Sequence, residues 1–382
     1  MQRAEVCVVG GGIAGLAIAW ALARRGVRDL RLFEREPLLA THASGRNAAI
    51  FRQLDADPVG LALGEATSRG LETLPTKAPA VRRTGALYLS PGPVLEALAA
   101  TLAAHGVRHA LVPRAALAAE SALLDGTDAE GGLLLPDDGV LDIDAIATAL
   151  AEGARAGGAR LELGRGVRAL RLGAGRVEGL ELDDGTRIAT PSVVLAAGAW
   201  SAELAAAAGV PLPLVALRRH LAQLEPERPV APDGPVVWRL GPGETYLRPE
   251  SGGLLASPCD EEPWVPGIPP AAPAIPPTSP EALERLALLL APTTPGVASA
   301  RVRRLWACLR TFAPDRGFVV GPDPRLAGLH WVAGLGGRGM SCGLGLGELA
   351  AALVLGEEHA LAAAVAPARL LGAGTTAGHA AG

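Results

Sequence analysis

Four residues near the start of the chain have the types and spacing to hold a nucleotide: Gly10, Gly12, Gly15 and, further on, Glu34. The glycines form a Gly-x-Gly-x-x-Gly run between a short apolar segment, Glu5 to Val9, and a helical pattern from Ile13 to Arg25 marked by Leu16, Ile18, Trp20 and Leu22. Gly26 ends the helix and Asp29 to Glu34 alternates as a second strand, which completes a βαβ signature. In that setting Gly10 allows a tight turn, Gly12 lets the backbone approach a pyrophosphate, and Gly15 permits close helix-to-strand packing. The helix N-terminus, with Ile13 and Ala14, then faces the phosphates. Glu34 is placed to accept hydrogen bonds from adenosine ribose hydroxyls, which disfavours a 2′-phosphate and hence NADP. The motif predicts an adenine dinucleotide and leaves FAD and NAD both open.

The elements that must carry this unit belong to a large folded protein. A chain of 382 residues, 49% hydrophobic, buries a sizeable core, and two lobes are the natural expectation. The net charge is −4 and Lys77 is the sole lysine, so no basic stripe for nucleic acid is present. Cys7, Cys259, Cys308 and Cys342 are scattered without a CxxC pair; neither disulfides nor a metal site is expected, and a reducing, cytoplasmic setting fits. The apolar N-terminus is broken by glycines and arginines and reads as strand, turn and helix, not as a signal peptide. No stretch reaches the roughly 18 to 20 uninterrupted apolar residues of a transmembrane helix.

Further along, Val59 to Leu71 reads as a helix, VRRTGALYLS as a strand of another layer, and Val94 to Leu102 and Ala116 to Leu124 as short helices. GGLLLPDDGVLDI reads as strand and turn before a helix starting at Asp144. The stretch ARLELGRGVRALRLGAGRVEGLELDDGTRIAT predicts a β-meander with hairpin turns, and SVVLAAGAWS a buried strand entering a small-residue turn. The proline-rich segment 264–281 reads as a solvated surface loop, with a substrate-gating lid as the alternative. Near the C-terminus GLGGRGMSCGLGLGELAAALVLGE is a second glycine turn feeding a helix, and residues 369–382 read as a flexible tail.

Five segments together resemble a known family: VVGGGIAGLAIAWALARRG, LFEREPLLATHASGRNAAI, GGLLLPDDGVLDIDAI, VVLAAGAWSAEL and HWVAGLGGRGMSCGLGLGELAAAL. In content and order they are similar to the D-amino acid oxidase-like flavoproteins, which include glycine oxidase, sarcosine oxidase and D-amino acid dehydrogenases. The nearest pattern is that of bacterial D-arginine dehydrogenase, through THASGRNAA, YLRPESGGLLASP and WACLRTFAPDRGFVVG. The resemblance implies an α/β, glutathione-reductase-type Rossmann FAD-binding domain with a mainly antiparallel β-sheet (α+β) substrate domain. The expected division is 1–80, 140–214 and 312–368 for FAD, and 81–139 and 215–311 for substrate.

It also implies roles for particular residues. Glu34 and Arg35 would meet the adenosine, and His42, Ala43, Ser44, Arg46, Asn47 and Ala48 would run past the pyrophosphate and isoalloxazine. Val167 would contact adenine, and Ala197, Gly198 and Trp200 the adenosine half. Gly334, Gly336, Gly337, Arg338, Gly339 and Met340 would bring backbone amides and a helix N-terminus to the flavin, where negative charge develops. Some relatives attach flavin covalently through a histidine of this region; for His42 an ordinary polar contact is expected.

On the substrate side, amine oxidation needs no metal but does need a fixed carboxylate, for which a two-pronged arginine is suited. Arg310 resembles the family's carboxylate-binding arginine, and Tyr246 and Arg52 would also reach the substrate, with Arg218 and Arg219 as further candidates. The resemblance implies oxidation of the C–N bond of a D-amino acid or N-substituted amino acid by hydride transfer to flavin N5. The sequence departs from the arginine dehydrogenase pattern at Ile50, at Asp55 and over Arg83 to Ala86, so a less cationic or N-substituted substrate is expected. Lys77 is poorly placed to activate oxygen as a lysine does in sarcosine oxidase-like enzymes, so another electron acceptor is favoured. Two alternatives remain. A 2-hydroxy-acid or polyol-phosphate dehydrogenase would want a base from His42, His220 or His330; a non-catalytic flavin-binding subunit would need none.

Overall fold

The computed structural model describes residues 2–266, 275–297 and 299–372. Its first sheet has six strands, in the order Arg160–Glu162, Leu30–Phe33, Val6–Val9, Val193–Leu195, Leu329–Ala333 and Val319–Pro322. All pairs are parallel except the last, where Val319–Pro322 closes the edge antiparallel to its neighbour. The apolar run VCVV is fully buried at the centre, as a parallel strand covered on both faces must be. Three strands end in turns that face one edge of the sheet: the Gly10 loop, Ala196–Ala197 and Gly334. Glu34 ends the strand beside them. In an open α/β sheet this carboxyl edge is where a ligand binds.

Helix Ile13–Arg24 crosses from strand Val6–Val9 to Leu30–Phe33 and is buried almost throughout. Helix Gly339–Val354 packs beside it, and helix Pro58–Thr73 packs in turn against Gly339–Val354. Their contacts depend on missing side chains. A Cβ at Gly347 would lie 2.7 Å from the Ala17 Cβ, one at Gly343 2.9 Å from Ile13 Cγ1, and one at Gly345 2.5 Å from the Leu63 carbonyl oxygen. Glycine in a helix costs about 1 kcal/mol relative to alanine, which this close approach of three helices offsets.

The other face of the sheet is covered by a four-stranded layer, Gln2–Arg3, Arg187–Ala189, Arg176–Leu182 and Val167–Gly173. The expected meander is present with one correction. Its first strand, Arg160–Glu162, leaves it and joins the parallel sheet beside Leu30–Phe33, where Arg31 Nε donates to Glu162 Oε1 at 2.6 Å. A three-residue strand has no periodicity to distinguish these sheets, and an ion pair with its neighbour decides it.

The second large sheet has nine strands and is antiparallel except for the pair Val236–Arg239 with Ala86–Leu89. Its longest strands, Val215–Glu225 and Arg301–Phe312, pair along nearly their whole length. We propose the lobe boundaries near 80, 140, 214 and 312 from this segregation of strands. The helices expected in the first half form at Pro58–Thr73, Gly92–Ala104 and Ile143–Ala156; Asp142 caps the last by accepting from the Ala145 N–H at 2.9 Å. Arg369, expected in a flexible tail, is anchored instead: its Nε donates to Asp315 Oδ2 at 2.7 Å. Residues 373–382 of that tail, and 267–274 of the proline-rich segment, lie outside the described residues.

Substituting Gly347→Ala should therefore destabilise the protein by about 1–3 kcal/mol through overpacking, despite alanine's better helix propensity. Gly92→Ala, at a helical position with nothing within 4 Å of the added Cβ, serves as the control. Urea midpoints of the two variants check this.

Candidate active site

Two cavities meet at the carboxyl edge of the parallel sheet. The first is a long cleft that begins at Glu34, Arg35, Val167 and Trp200, passes Gly10, Gly12, Ile13, Ala14 and Ser44, and ends at Gly334 to Gly337, Gly339 and Arg310. Gly10 has φ +109°, and a Cβ there would come within 2.5 Å of the Ala196 carbonyl oxygen, so the turn admits glycine alone. The helix N-cap is Gly12, which has no side chain to cap with; Ser44 Oγ accepts from the Ile13 N–H at 2.9 Å instead. A Cβ at Gly12 would meet that hydroxyl at 3.1 Å and nothing else close, so this backbone faces the open cleft. Gly15 lies behind it, where a Cβ would overlap the Gly10 carbonyl.

Glu34 holds the loop through both oxygens, accepting from the Gly11 N–H at 2.6 Å and the Glu36 N–H at 2.8 Å. The Arg35 guanidinium lies 4.7 Å from the Trp200 ring centroid. His42 packs on the same indole at 4.7 Å and bonds Glu36 Oε1 at 2.8 Å, at the Glu34 end of the cleft. The loop that follows is organised by Asn47, whose side chain donates to the carbonyls of Ala43 and Ser44 and accepts from the Ala49 N–H. Arg46 Nε donates to the Ala307 carbonyl at 3.4 Å, which ties this loop to the second lobe.

At the far end Gly334, Gly336 and Gly337 have φ +68°, +55° and +86°, and the turn leads directly into helix Gly339–Val354. A Cβ on Gly337 would lie 2.7 Å from Arg310 Cδ, so glycine here is what lets the Arg310 side chain lie across the turn. Arg310 is 7% exposed. Its Nη1 donates weakly to Cys308 Sγ at 3.5 Å, its Nε has no partner, and no carboxylate pairs with it among the described residues.

The second cavity opens on the other side of Arg310, Gly336, Gly337 and Met340 and is lined by Asn47, Ala48, Ile50, Arg52, Tyr246 and Trp238. Tyr246 is 2% exposed and burial pushes its phenol up to about 12, so it is neutral. Its ring lies 4.7 Å from that of Trp238. Arg52 lies over the opposite partner of this pair, 4.9 Å from the Trp238 centroid.

Several sequence expectations change here. Arg338 does not point its side chain into the cleft: Nη1 pairs with Asp55 at 3.2 Å and Asp57 at 3.4 Å, Nη2 donates to the Arg316 carbonyl, and the guanidinium lies on Phe318. Arg218 is taken by Glu262 on the far side of its strand, with Nε donating at 3.0 Å, and Arg219 by Glu261 at 2.8 Å. His220 does not approach either cavity; its Nδ1 bonds Asp260 Oδ2 at 2.6 Å while Nε2 accepts from the Ser279 N–H at 3.0 Å. That pairing leaves both ring nitrogens engaged. With Glu262 the two residues form the one cluster of metal-ligand types among the described residues, and its donors are already spoken for. The proline-rich segment is not wholly a surface loop, since Ile275 and Pro276 line the cofactor cleft. Sequence reading missed Trp238, Glu244, Glu261 and Arg316 in the second cavity and Arg168, Asp183 and Glu203 at the Trp200 end. No local motif marks them.

With this geometry in view, the comparisons are informative. Residues 5–353 match the family model described as DAO, FAD dependent oxidoreductase. The chain belongs to this FAD-dependent oxidoreductase family. It is 30% identical over 357 residues to the 4-methylaminobutanoate oxidase (formaldehyde-forming) of Paenarthrobacter nicotinovorans, covering 89% of this chain and 42% of that protein. It is 25% identical over 367 residues to the mitochondrial pyruvate dehydrogenase phosphatase regulatory subunit of Mus musculus, covering 91% and 41%. The chain thus spans about two fifths of these relatives' length. Among solved structures, L-proline dehydrogenase from P. horikoshii superposes with TM-score 0.84 at 23% identity, covering 96% of this chain and 98% of that one. Glycine oxidase from Geobacillus kaustophilus gives 0.79 at 23%, covering 95% and 98%. The fold is that of the family. No helix among the described residues is long and apolar enough to cross a membrane.

The residues present fit FAD, the family's cofactor: one glycine cradle and helix N-terminus at each end, an acidic residue on the second strand, and an open cleft joining them. Glu34→Ala should weaken FAD binding by about 1–3 kcal/mol, the scale of hydrogen bonds to a charged group, in a fluorescence titration of the apoprotein. A second outcome concerns His330, which lines neither cavity and whose Nδ1 is buried without a partner. Burial lowers its pKa from 6.5 to about 4. The unfolded chain then binds a proton that the folded form refuses, so stability falls as pH drops from about 6.5 to about 4. His330→Leu should flatten this part of the profile in denaturant titrations.

Proposed function

We propose that this protein oxidises the C–N bond of an amino acid or an N-substituted amino acid, with Arg310 clamping the substrate carboxylate over the flavin. One observation carries the reading. A buried guanidinium with no anionic partner among the described residues sits where the cofactor cleft and the second cavity join. Burying an unpaired charge is costly, and a ligand carboxylate removes that cost by filling the two-pronged fork.

When bound, FAD supplies the acceptor for the hydride that leaves the substrate Cα. The chain's own residues position the other participant. The Arg310 fork sets both the place and the rotation of the carboxylate, which a lysine point charge would not. Tyr246 and Trp238 form an apolar wall that excludes water, and the neutral Tyr246 phenol adds no competing charge. The amides around Gly334 to Gly339 and the helix they open favour negative charge at the ring end of the cleft.

No histidine lines the second cavity among the described residues, which supports amine over hydroxy-acid oxidation, since an alcohol needs a base beside it. An amine must only arrive unprotonated. The similarity to a regulatory subunit keeps a non-catalytic flavin protein as the second reading, separated from the first by whether any amine bleaches the bound flavin. We favour an electron acceptor other than oxygen, because Lys77, the sole lysine, is exposed and lines neither cavity.

Arg310→Lys should lower kcat/KM on the best substrate by on the order of a hundredfold, about 3 kcal/mol, with the flavin spectrum nearly unchanged. Wild-type turnover by that variant, or a best substrate without a carboxylate, refutes the assignment.

A further inference from the structure

We infer that the substrate carries a second acid group and that Arg52 is the residue that recognises it. The inference rests on the reading of Arg310 as the carboxylate clamp and extends it to the substrate class.

Five arginines line the second cavity: Arg52, Arg219, Arg310, Arg316 and Arg338. Three are neutralised by the protein. Arg338 has Asp55 and Asp57, while Arg219 and Arg316 share Glu261. Asp315, also in the lining, is held by Arg369. Glu244 accepts the Trp238 indole N–H at 2.9 Å, and its charge bears on Arg219.

Two guanidinium groups are left. Arg310 is one. Arg52 uses its backbone N–H on Ser341 Oγ at 3.1 Å and lays its side chain over Trp238. Its fork makes no hydrogen bond or ion pair among the described residues. Its charge bears on Asp138. Asp138 is fully buried, however, and its oxygens already accept from the Gln53 backbone and side-chain N–H groups and from the Tyr88 hydroxyl.

A guanidinium packed over an indole face is held by the ring's electrostatics while its N–H donors stay available. Arg52 thus has donors available for an anion that no described residue provides. Trp238 and Tyr246 pack tilted against each other, with Arg52 over the Trp238 ring and the Arg310 charge felt by the Tyr246 phenol. A single carboxylate on Arg310 leaves Arg52 unmatched. A ligand with two acid groups a few bonds apart satisfies both. The fitting class is an amino acid with a carboxylate on its side chain or on its N-substituent.

The test uses FAD-loaded protein and anaerobic flavin reduction in a stopped-flow instrument. The probes are both enantiomers of aspartate, glutamate and N-methylglutamate, with iminodiacetate for an acid on the nitrogen. Asparagine, glutamine and N-methylglutamine are the neutral isosteres. Wild type should prefer an acid over its amide, and Arg52→Gln should lower that acid-to-amide ratio by on the order of a hundredfold, with Arg52→Lys restoring part of it. Which acids respond separates a side-chain from an N-linked carboxylate. Equal use of acid and amide by wild type overturns the inference. So does an Arg52→Gln variant that loses both equally, since Arg52 would then share the first carboxylate with Arg310. If none of the probes and no monocarboxylic amino acid reduces the flavin, the amine-oxidising reading fails, and this one with it.

Discussion

The close approach of helices Ile13–Arg24 and Gly339–Val354 is the constraint on which the site depends. Gly343 beneath Ile13 and Gly347 against Ala17 allow backbone-to-backbone contact that no larger residue would permit. Because each helix begins directly after a glycine turn, their packing sets the distance between the two turns. It places one helix N-terminus toward the phosphate portion of the cleft and the other toward the ring end. The intervening strand Val193–Leu195 supplies the floor between them, paired in register to both neighbours.

The nine-stranded sheet brings Arg310 to the cleft on one long strand. Arg301–Phe312 pairs with Val215–Glu225 from Phe312 back to Arg301, and its alternation turns Cys308 and Arg310 toward the cleft. Gly337 then decides whether Arg310 can lie there. The resulting arrangement is expensive for stability: three turn glycines in the left-handed region and a buried cation without a partner. Local choices that disagree with stability gather where function requires them, and here they converge on the junction of the two cavities. The same cavity neutralises three of its arginines with protein carboxylates, which makes the two exceptions informative.

Much of the cofactor side was legible because it is written in short-range patterns. The Gly10 to Glu34 unit, the Asn47 loop and the late glycine turn are each contiguous runs recognisable by residue type and spacing, and residues of each line the cleft. The Arg338 side chain, as distinct from its backbone, follows no local pattern. It sits inside the right motif, but side-chain direction depends on Asp55 and Asp57, nearly three hundred residues away. His220 appeared free to approach the flavin, and only its contact with Asp260 and Ser279 shows that it is committed elsewhere. Trp238 and Glu244 carried no motif at all.

The sequence by itself determined the βαβ unit, the preference for an adenine dinucleotide without a 2′-phosphate, the family and the probable type of each long element, because periodicity, glycine placement and strand-end acidity are local properties. Tertiary structure alone decided which charges cancel. Ion pairing depends on side chains brought within a few ångströms by strands and helices remote in the chain, so the partners of Arg219, Arg316 and Arg338, and the absence of one for Arg310, follow only from the packed lobes.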